Sequence, residues 1–428
     1  MSWLHANGDR GTWPDTFYAA RADLPDPVPP LEGAAQADLC VIGGGLTGLS
    51  AALHGVRAGM SVIVLEAQRV GWGASGRNGG QVGTGFNWSQ RKLEAKLGRP
   101  DARALWELAE EAKALTRTLI ADHAPEADWR PGILSAALTD AGFAAYREEA
   151  EWMAEHHGTS SQTLDRKDLK SRIGTDAYAG GILDGTAGFC DPLAYTLGLA
   201  RAARTEGAVI HEASEVHAID GTTVRTAKGH VRARMVVQAT NGYSPWLTGK
   251  TAARVLPINN YIAVTEPLAN PPFCTKRGHP AVADSRFVVN YFWQTEDGRL
   301  VFGGGESYGK RFPRDIRTKV RRNLARVYPD LADVRFDHAW GGTLAVTATR
   351  LPYLAEVAPG VFSAGGYSGH GLALSSLFGK LCVEAARGER SRFDLAGRLP
   401  VPALPGGRLF GGWMAQAGMM LGALRDRV

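Results

Sequence analysis

The tightest constraint in the chain is a short glycine pattern. Gly43, Gly45 and Gly48 follow the apolar run 38–42 and open a helix-like run, and Glu66 closes the next apolar run, 61–65. Strand, glycine turn, helix and strand in that order make a β-α-β dinucleotide cradle. Gly43 permits the tight turn, Gly45 removes a side chain that would block a pyrophosphate, and Gly48 lets helix and strand pack closely. Leu46 and Thr47 begin the helix, whose first-turn N–H groups and positive dipole end face the phosphates. Glu66, followed by Ala67, stands about 20 residues on, where a carboxylate accepts hydrogen bonds from ribose hydroxyls and repels a 2′-phosphate. Ala52 and Gly59 continue the small-residue pattern on the helix. An ADP-containing cofactor is therefore expected, and the cradle alone does not separate NAD from FAD.

Further glycine-rich segments extend the cradle. Residues 71–80 can wrap backbone donors around a second part of a cofactor, 236–242 is an apolar strand ending in small residues, and 361–371 is a strand breaking into Gly365-Gly366-Tyr367-Ser368-Gly369-His370-Gly371. The last of these opens a helix-like run, 372–386, whose N-terminal amides again point at something electron-rich. A second nicotinamide cradle is not found, since Gly303-Gly304-Gly305 leads into Arg311-Phe312-Pro313 and not into an apolar helix.

With 428 residues the chain can bury a core large enough for two domains. Its net charge of +5 is small and dispersed, which excludes an evident nucleic-acid surface and leaves a weakly favourable field for anions. Cys40, Cys190, Cys274 and Cys382 lie far apart without a CxxC pair, so buried thiols in a reducing compartment are expected, with no disulfide frame and no metal site. The start of the chain lacks a basic-then-apolar leader and no run of 18 apolar residues occurs, which makes cytoplasmic the default. A Gly-, Met- and Leu-rich stretch at 409–424 reads as a C-terminal helix packed on its own domain, with a membrane-surface role as the alternative.

Helical spacing is expected at 101–121 and 141–156, a capped helix start at Asp191-Pro192, and strand-like alternation at 260–265, 287–294 and 299–302. The expected organisation is an N-terminal arm, 1–36; a cofactor domain in blocks 37–90, 157–248 and 342–398; a substrate domain of 91–156 and 249–341 built on an antiparallel sheet; and a tail, 399–428.

The segments VIGGGLTGLSAA (41–52), GASGRNGGQ (73–81), GFCDPLAY (188–195), VVQATNGYS (236–244), DGRLVFGGG (297–305), WGGTLAVTATRLPYL (340–354) and GGYSGHGLALSS (365–376) occur in this order. Together they resemble the D-amino-acid-oxidase-like FAD oxidoreductases, and within them the γ-glutamylputrescine oxidase-like subgroup, over about residues 38–388. The resemblance implies an α/β fold of the D-amino-acid-oxidase and glutathione-reductase type. That fold has a discontinuous Rossmann-type FAD-binding domain and an α+β substrate domain whose antiparallel sheet roofs the flavin. It further implies oxidation of a C–N bond in an amine or amino acid.

By the same resemblance, Gly369, His370, Gly371 and Leu372 lie beside the flavin pyrimidine edge, Val216 meets the adenine, and Ala239, Thr240 and Gly242 approach the pyrophosphate side. Ala74, Ser75, Arg77, Asn78, Gly79, Gly80 and Gln81 line the middle of the cofactor, with Gly342 and Gly366 also in the cofactor set. Tyr261, Tyr291, Trp293, Trp340, Thr343 and Arg350 are expected around the substrate, and His370, Tyr291 and Trp340 are the candidate catalytic residues. Departures from sarcosine-oxidase-like relatives also count. Leu372-Ala373 stand where those relatives place a carboxylate-binding lysine, which disfavours simple N-methyl amino acids. No cysteine falls in 345–353 and no histidine in 73–80, so the FAD is expected to be non-covalent. The lysine used near oxygen is missing from 299–305, leaving oxidase and dehydrogenase both open.

The expected reaction converts an amine, γ-glutamylputrescine-like or another polyamine derivative, to an imine that hydrolyses to an aldehyde, with oxygen or another acceptor taking the electrons. The alternatives are a D-amino-acid, glycine or taurine-type dehydrogenase using a non-oxygen acceptor, or a non-catalytic FAD-binding subunit whose pocket is filled by Trp293 or Tyr291.

Overall fold

The computed structural model describes residues 2–274 and 279–404. The expected segment at 409–424, and the tail beyond residue 404, lie outside the described residues.

The run 38–42 forms the end of a strand, Gly33–Ile42, and from it a sheet is built in the order Tyr353–Ala358, Val361–Gly365, Gly229–Gln238, Gly33–Ile42, Val62–Leu65, Val209–His211. Neighbours are parallel except at the Tyr353–Ala358 edge. Parallel strands are buried on both faces. Leu39 and Val41 face the helices Leu46–Arg57, Pro192–Thr205 and Leu372–Ala386, while Cys40 and Ile42 face a meander of Val216–Asp220 and Thr223–Thr226 paired onto Gly229–Gln238. Gly48 is where helix and strand meet: a Cβ there would lie 1.9 Å from the Gly43 carbonyl oxygen and 3.0 Å from Val41 Cγ1. Asp191 caps Pro192–Thr205 by accepting from the Leu193 and Ala194 N–H groups, as its sequence pattern predicts.

The second sheet runs Phe336–Val346, Leu256–Thr265, Leu300–Ser307, Tyr291–Gln294, Ala281–Asp284, Arg130–Ala137, Gly180–Phe189, Gln81–Val82, with Gln162–Asp165 also on Gly180–Phe189. It is antiparallel except for one parallel pair, Ala281–Asp284 with Arg130–Ala137. Helix Ile316–Val327 covers one face over a core that includes Tyr261, Phe292 and Phe302. The strand expected at 287–294 starts only at Tyr291, because Asp284 Oδ1 accepts from the Arg286 and Asn290 N–H groups and holds 285–290 as a loop.

Pairing distributes some blocks differently from the sequence reading. Gln162–Asp165 and Gly180–Phe189, inside the block 157–248, belong to the second sheet, and helix Arg99–His123, inside 91–156, packs on Leu372–Ala386 and Pro192–Thr205. Periodicity tells that a face is buried but not which layer buries it. The helix Asp140–His157 forms at the expected place, yet none of its residues is fully buried. All four cysteines are unpaired, and Cys40, Cys190 and Cys382 are buried. Among the described residues no helix is long and apolar enough to cross a membrane.

Candidate active site and cofactor cleft

A cleft of about 640 Å³ opens between the carboxyl ends of the parallel strands and the uncovered face of the second sheet. That is a size typical of ligand sites, roughly 300–1,000 Å³. At one end lies the glycine turn. Gly43 has φ +112°, and a Cβ there would sit 2.7 Å from the Ala239 carbonyl oxygen. Gly45 caps the Leu46–Arg57 helix without a side-chain bond, and Ser75 Oγ accepts from the Leu46 N–H at 3.0 Å. Thr47, in the same first turn where amides lack intrahelical partners, also lines the cleft. Glu66 is held by its own backbone surroundings, Oε2 accepting from the Gly44 N–H at 2.6 Å and Oε1 from the Gln68 N–H at 2.8 Å. Burial pushes its carboxyl up to about 7, against those N–H donors, with neighbouring Glu212 adding to the rise.

A second helix N-terminus enters the same cleft. Leu372–Ala386 begins at Gly371 with no side-chain cap, and Gly369, His370, Gly371 and Leu372 line the wall beside it. Thr47 Oγ1 and the Tyr367 hydroxyl, 2.7 Å apart, tie the two helix starts together. Arg77 also lines the cleft, not at the surface but 4 % exposed. Its Nε donates to the Trp72 carbonyl at 2.7 Å, its Nη1 to the Gly341 carbonyl at 3.1 Å, and its guanidinium stacks 4.4 Å from the Trp72 ring. Asp9 of the N-terminal arm stands 3.6 Å from Nη1, and Nη2 is buried with no hydrogen-bond partner. Burial lowers the pKa of Arg77, partly offset by Tyr243 and Asp9. A glycine cradle that a Cβ would fill, two open helix starts and a buried guanidinium with an unused donor fit an anionic dinucleotide.

The other half of the cleft is the second sheet. Because side chains alternate, Asn260 and Ile262 face the cleft with Tyr291 beside them. Tyr291 is wedged between glycines, since a Cβ would lie 2.6 Å from its ring at Gly79 and 2.1 Å at Gly303. Its hydroxyl donates to Asn260 Oδ1 at 2.5 Å, and burial raises its pKa, keeping it protonated. His370 also lines the cleft. Burial lowers its pKa, opposed by the Thr84 and Gly83 carbonyls, and its Nε2 has no hydrogen-bond partner among the described residues. Asn87, Asn241, Arg350 and Ser368 all line the cleft with left-handed backbone, φ +66°, +44°, +64° and +53°. Such non-glycine strain gathers at functional sites.

Of the residues singled out from sequence, the cleft brings together Gly43, Gly45, Leu46, Thr47, Glu66, Ala67, Ala74, Ser75, Arg77, Asn78, Gly79, Gln81, Val216, Ala239, Thr240 and Gly342 with Tyr291, Arg350 and the 369–372 turn. Gly48, Gly80, Gly242 and Gly366 do not line it; the first three lie against the backbone of Gly43, Cys190 and Leu344, and Gly366 against Thr347. Trp340, a candidate catalytic residue, is also outside the cleft, its Nε1 donating to the Arg77 carbonyl at 3.0 Å and its ring meeting Tyr18 edge-on. Trp293 likewise donates to the Gly79 carbonyl at 3.1 Å and packs on Phe189. Both indoles therefore hold the 77–79 loop from behind. Tyr261 and Thr343 point to the far side of their strands, toward Ser307 and Asn259, because they alternate with Asn260 and Gly342.

Sequence reasoning missed the N-terminal arm's part in the site. Leu4 lines the cleft, the Trp72 Nε1 donates to the Asp9 carbonyl at 2.8 Å, and the Tyr18 hydroxyl to the Asn78 carbonyl at 2.9 Å. Asn87, Asn260, Phe287 and Tyr367 were likewise not singled out. Asparagine's tolerance of left-handed backbone is the one signal that marks Asn87 and Asn241.

Residues 38–385 match the family model described as FAD dependent oxidoreductase. The chain is 40% identical over its whole length to the whole of a probable oxidoreductase OrdL of Rhizobium meliloti. It is 35% identical, over 96% of its length and 98% of the relative's, to the gamma-glutamylputrescine oxidoreductase of Escherichia coli. Its fold superposes on glycine oxidase from Geobacillus kaustophilus with a TM-score of 0.68 at 22% identity, covering 83% of this chain and 95% of that one. The chain thus belongs to the FAD dependent oxidoreductase family, and the lining of the cleft fits that cofactor.

Proposed function

We propose that the protein oxidises the C–N bond of an amine of the γ-glutamylputrescine type to an imine, which water then hydrolyses to an aldehyde. The observation that carries this reading is the joint opening of the dinucleotide cradle, the uncapped start of Leu372–Ala386 and the Tyr291 face of the second sheet into one cleft. The likeness to gamma-glutamylputrescine oxidoreductase supports the substrate class. Flavin, when bound, supplies the two-electron acceptor for the carbon–nitrogen bond.

The chain's own groups supply placement and field. The N-terminal amides of Leu372–Ala386 favour negative charge gathering beside them. His370, whose pKa burial lowers, stays an uncharged part of the cleft wall and so adds no cation beside the amine. Tyr291, fixed by Asn260 and its glycine slot, closes one wall and excludes water from the reacting carbon. The cleft stays open because Trp293 turns to its outer side and Tyr291 fits a slot, which supports a catalyst over a flavin-carrying scaffold. The reading takes FAD to be dissociable, and release of the flavin on acid precipitation tests that.

Mixing the yellow protein anaerobically with a panel of amines and amino acids tests this. Bleaching of the visible flavin band by ω-amines is the expected result, and a panel in which no amine bleaches it sinks the reading.

A further inference from the structure

The carboxylates of Glu66, Asp184, Glu215, Asp284 and Glu306 line the cleft against the guanidiniums of Arg77 and Arg350. That excess of negative groups favours a cation. All but one of the carboxylates have a partner from elsewhere in the chain. Backbone N–H groups bond Glu66, His5 Nε2 lies 2.8 Å from Glu215 Oε2, Arg286 pairs with Asp284, and the Tyr308 hydroxyl donates to Glu306. Asp184 lines the cleft from strand Gly180–Phe189 and takes part in no ion pair among the described residues.

A chain of hydrogen bonds fixes this carboxylate. Its Oδ1 accepts from the Thr186 N–H at 2.8 Å, the Thr186 hydroxyl at 2.7 Å and the Ala187 N–H at 3.2 Å, and none of these donors uses Oδ2. Lys113, a buried residue of helix Arg99–His123, donates to Thr186 Oγ1 at 2.7 Å and to Glu110 Oε1 at 3.1 Å, and the Thr84 hydroxyl donates to the same Glu110 oxygen at 2.7 Å. Thr84 and Asp184, at the two ends of this chain, both line the cleft. Lys113 is matched by Glu110, so the charge of Asp184 is the one left over. In register Asp184 stands opposite Ile133, on the same face; a Cβ at Gly83 would meet Ile133 Cδ1 at 3.7 Å and His370 Cε1 at 3.5 Å. Tyr291 is on another strand of the same sheet, with Ala281–Asp284 and Arg130–Ala137 between. Three strand spacings of about 4.8 Å put Asp184 roughly 14 Å from it across the sheet.

We infer that Asp184 is a specificity residue that holds a second ammonium of the substrate, far from the carbon that is oxidised beside Tyr291. An ammonium offers three N–H donors to the unused Oδ2, and a charge-assisted bond of this kind is strong. Because Oδ1 is already fixed, little side-chain freedom is lost on binding. The inference rests on the amine-oxidation reading and deepens it. A γ-glutamyl amide of a diamine carries such an ammonium on its α-carbon. About nine bonds separate that nitrogen from the oxidised carbon, and an extended chain covers about 3.5 Å for every three bonds, about 10 Å in all. The Asp184 side chain and its hydrogen bond bridge the remainder. An amine whose far end has no cation is therefore a poor substrate.

The test uses the FAD-loaded protein with γ-glutamylputrescine and N-(4-aminobutyl)glutaramic acid, which differs from it only in having hydrogen in place of the α-ammonium. Anaerobic reduction should half-saturate at a concentration at least about tenfold lower for γ-glutamylputrescine. Asp184→Asn should erase that difference by weakening γ-glutamylputrescine alone, in half-saturation and not in limiting rate, and Asp184→Glu should restore part of it. Asparagine keeps the oxygen that accepts from Thr186 and Ala187, and an unaltered flavin spectrum checks that the variant is folded. Equal saturation by the two compounds in the unaltered protein, or equal weakening of both by Asp184→Asn, overturns the inference. Calorimetric binding of α-methylglutamine, which carries the ammonium on a carbon without hydrogen and so cannot be oxidised there, supplies a readout apart from turnover. Binding to the unaltered protein that disappears in Asp184→Asn supports the role, and the absence of binding or its survival in the variant overturns it. If no amine reduces the flavin while α-methylglutamine still binds through Asp184, the oxidation reading fails and the cation site stands.

Discussion

Glu66 carries more of the cofactor chemistry than its motif position suggests. An ordinary glutamate, near 4.5, is ionised throughout the neutral range, whereas burial takes this one up to about 7. Between those values the folded apoprotein holds a proton that the unfolded chain has lost, so apoprotein stability falls as pH rises through the window. With Glu66 as the proposed ribose ligand, hydroxyls donating to the ionised carboxylate would act in the opposite direction. FAD affinity should therefore climb as pH passes from 6 to 8, approaching about tenfold per unit below the pKa, and Glu66→Gln should flatten the curve; quenching of flavin fluorescence on titration with apoprotein measures both. Nearby Glu212 is tied to Arg69 at 2.8 Å. Tyr291 gives a steric test at the same scale. Gly303→Ala would put a methyl group 2.1 Å from the tyrosine ring and push it out of its slot. The expected outcome is a folded, yellow protein whose reduction by amines is slowed by about tenfold or more, read by stopped-flow absorbance.

At the scale of elements, the helix Leu46–Arg57 depends on Gly48, where a single methyl would meet the Gly43 carbonyl at 1.9 Å. Gly48→Ala should cost about 1–3 kcal/mol in urea denaturation of the apoprotein, together with a loss of FAD affinity as the helix start backs away from the cleft. That element was legible because its constraint is local: three glycines and a carboxylate at fixed spacing specify backbone, whatever the rest of the chain does. The helix Leu372–Ala386 was legible for the same reason, and its bounds coincide with the run read from sequence. Side-chain direction on the second sheet was not. Asn260 and Tyr261 are neighbours, and only register decides that the first meets the cleft and the second meets Ser307. The two indoles misplaced from sequence fail differently: Trp340 and Trp293 are near the site but hydrogen-bond to the outer side of the 77–79 loop. The arm's contacts through Asp9 and Tyr18 were hidden because polar, proline-rich sequence has no periodicity to read.

For the molecule as a whole, the cleft is a joint between two sheets, and filling it should stabilise both. At about a hundredfold excess over Kd, FAD adds about 2.7 kcal/mol to the folded state, which should appear as a single, raised thermal transition in calorimetry. Acid precipitation should leave the flavin in the supernatant. The strand order has a further consequence for how such a molecule comes into being. The chain leaves the first sheet after Val62–Leu65, returns to it for Val209–His211 and Gly229–Gln238, leaves again, and comes back for Tyr353–Ala358 and Val361–Gly365. Neither lobe is a contiguous stretch, so a gene split between residues 189 and 209 or between 238 and 256 yields fragments that each lack part of both lobes. On the ribosome, the last wall of the pocket among the described residues, Gly369 to Ser375, emerges after the other contributors, and a nascent chain arrested short of it would be unable to turn yellow.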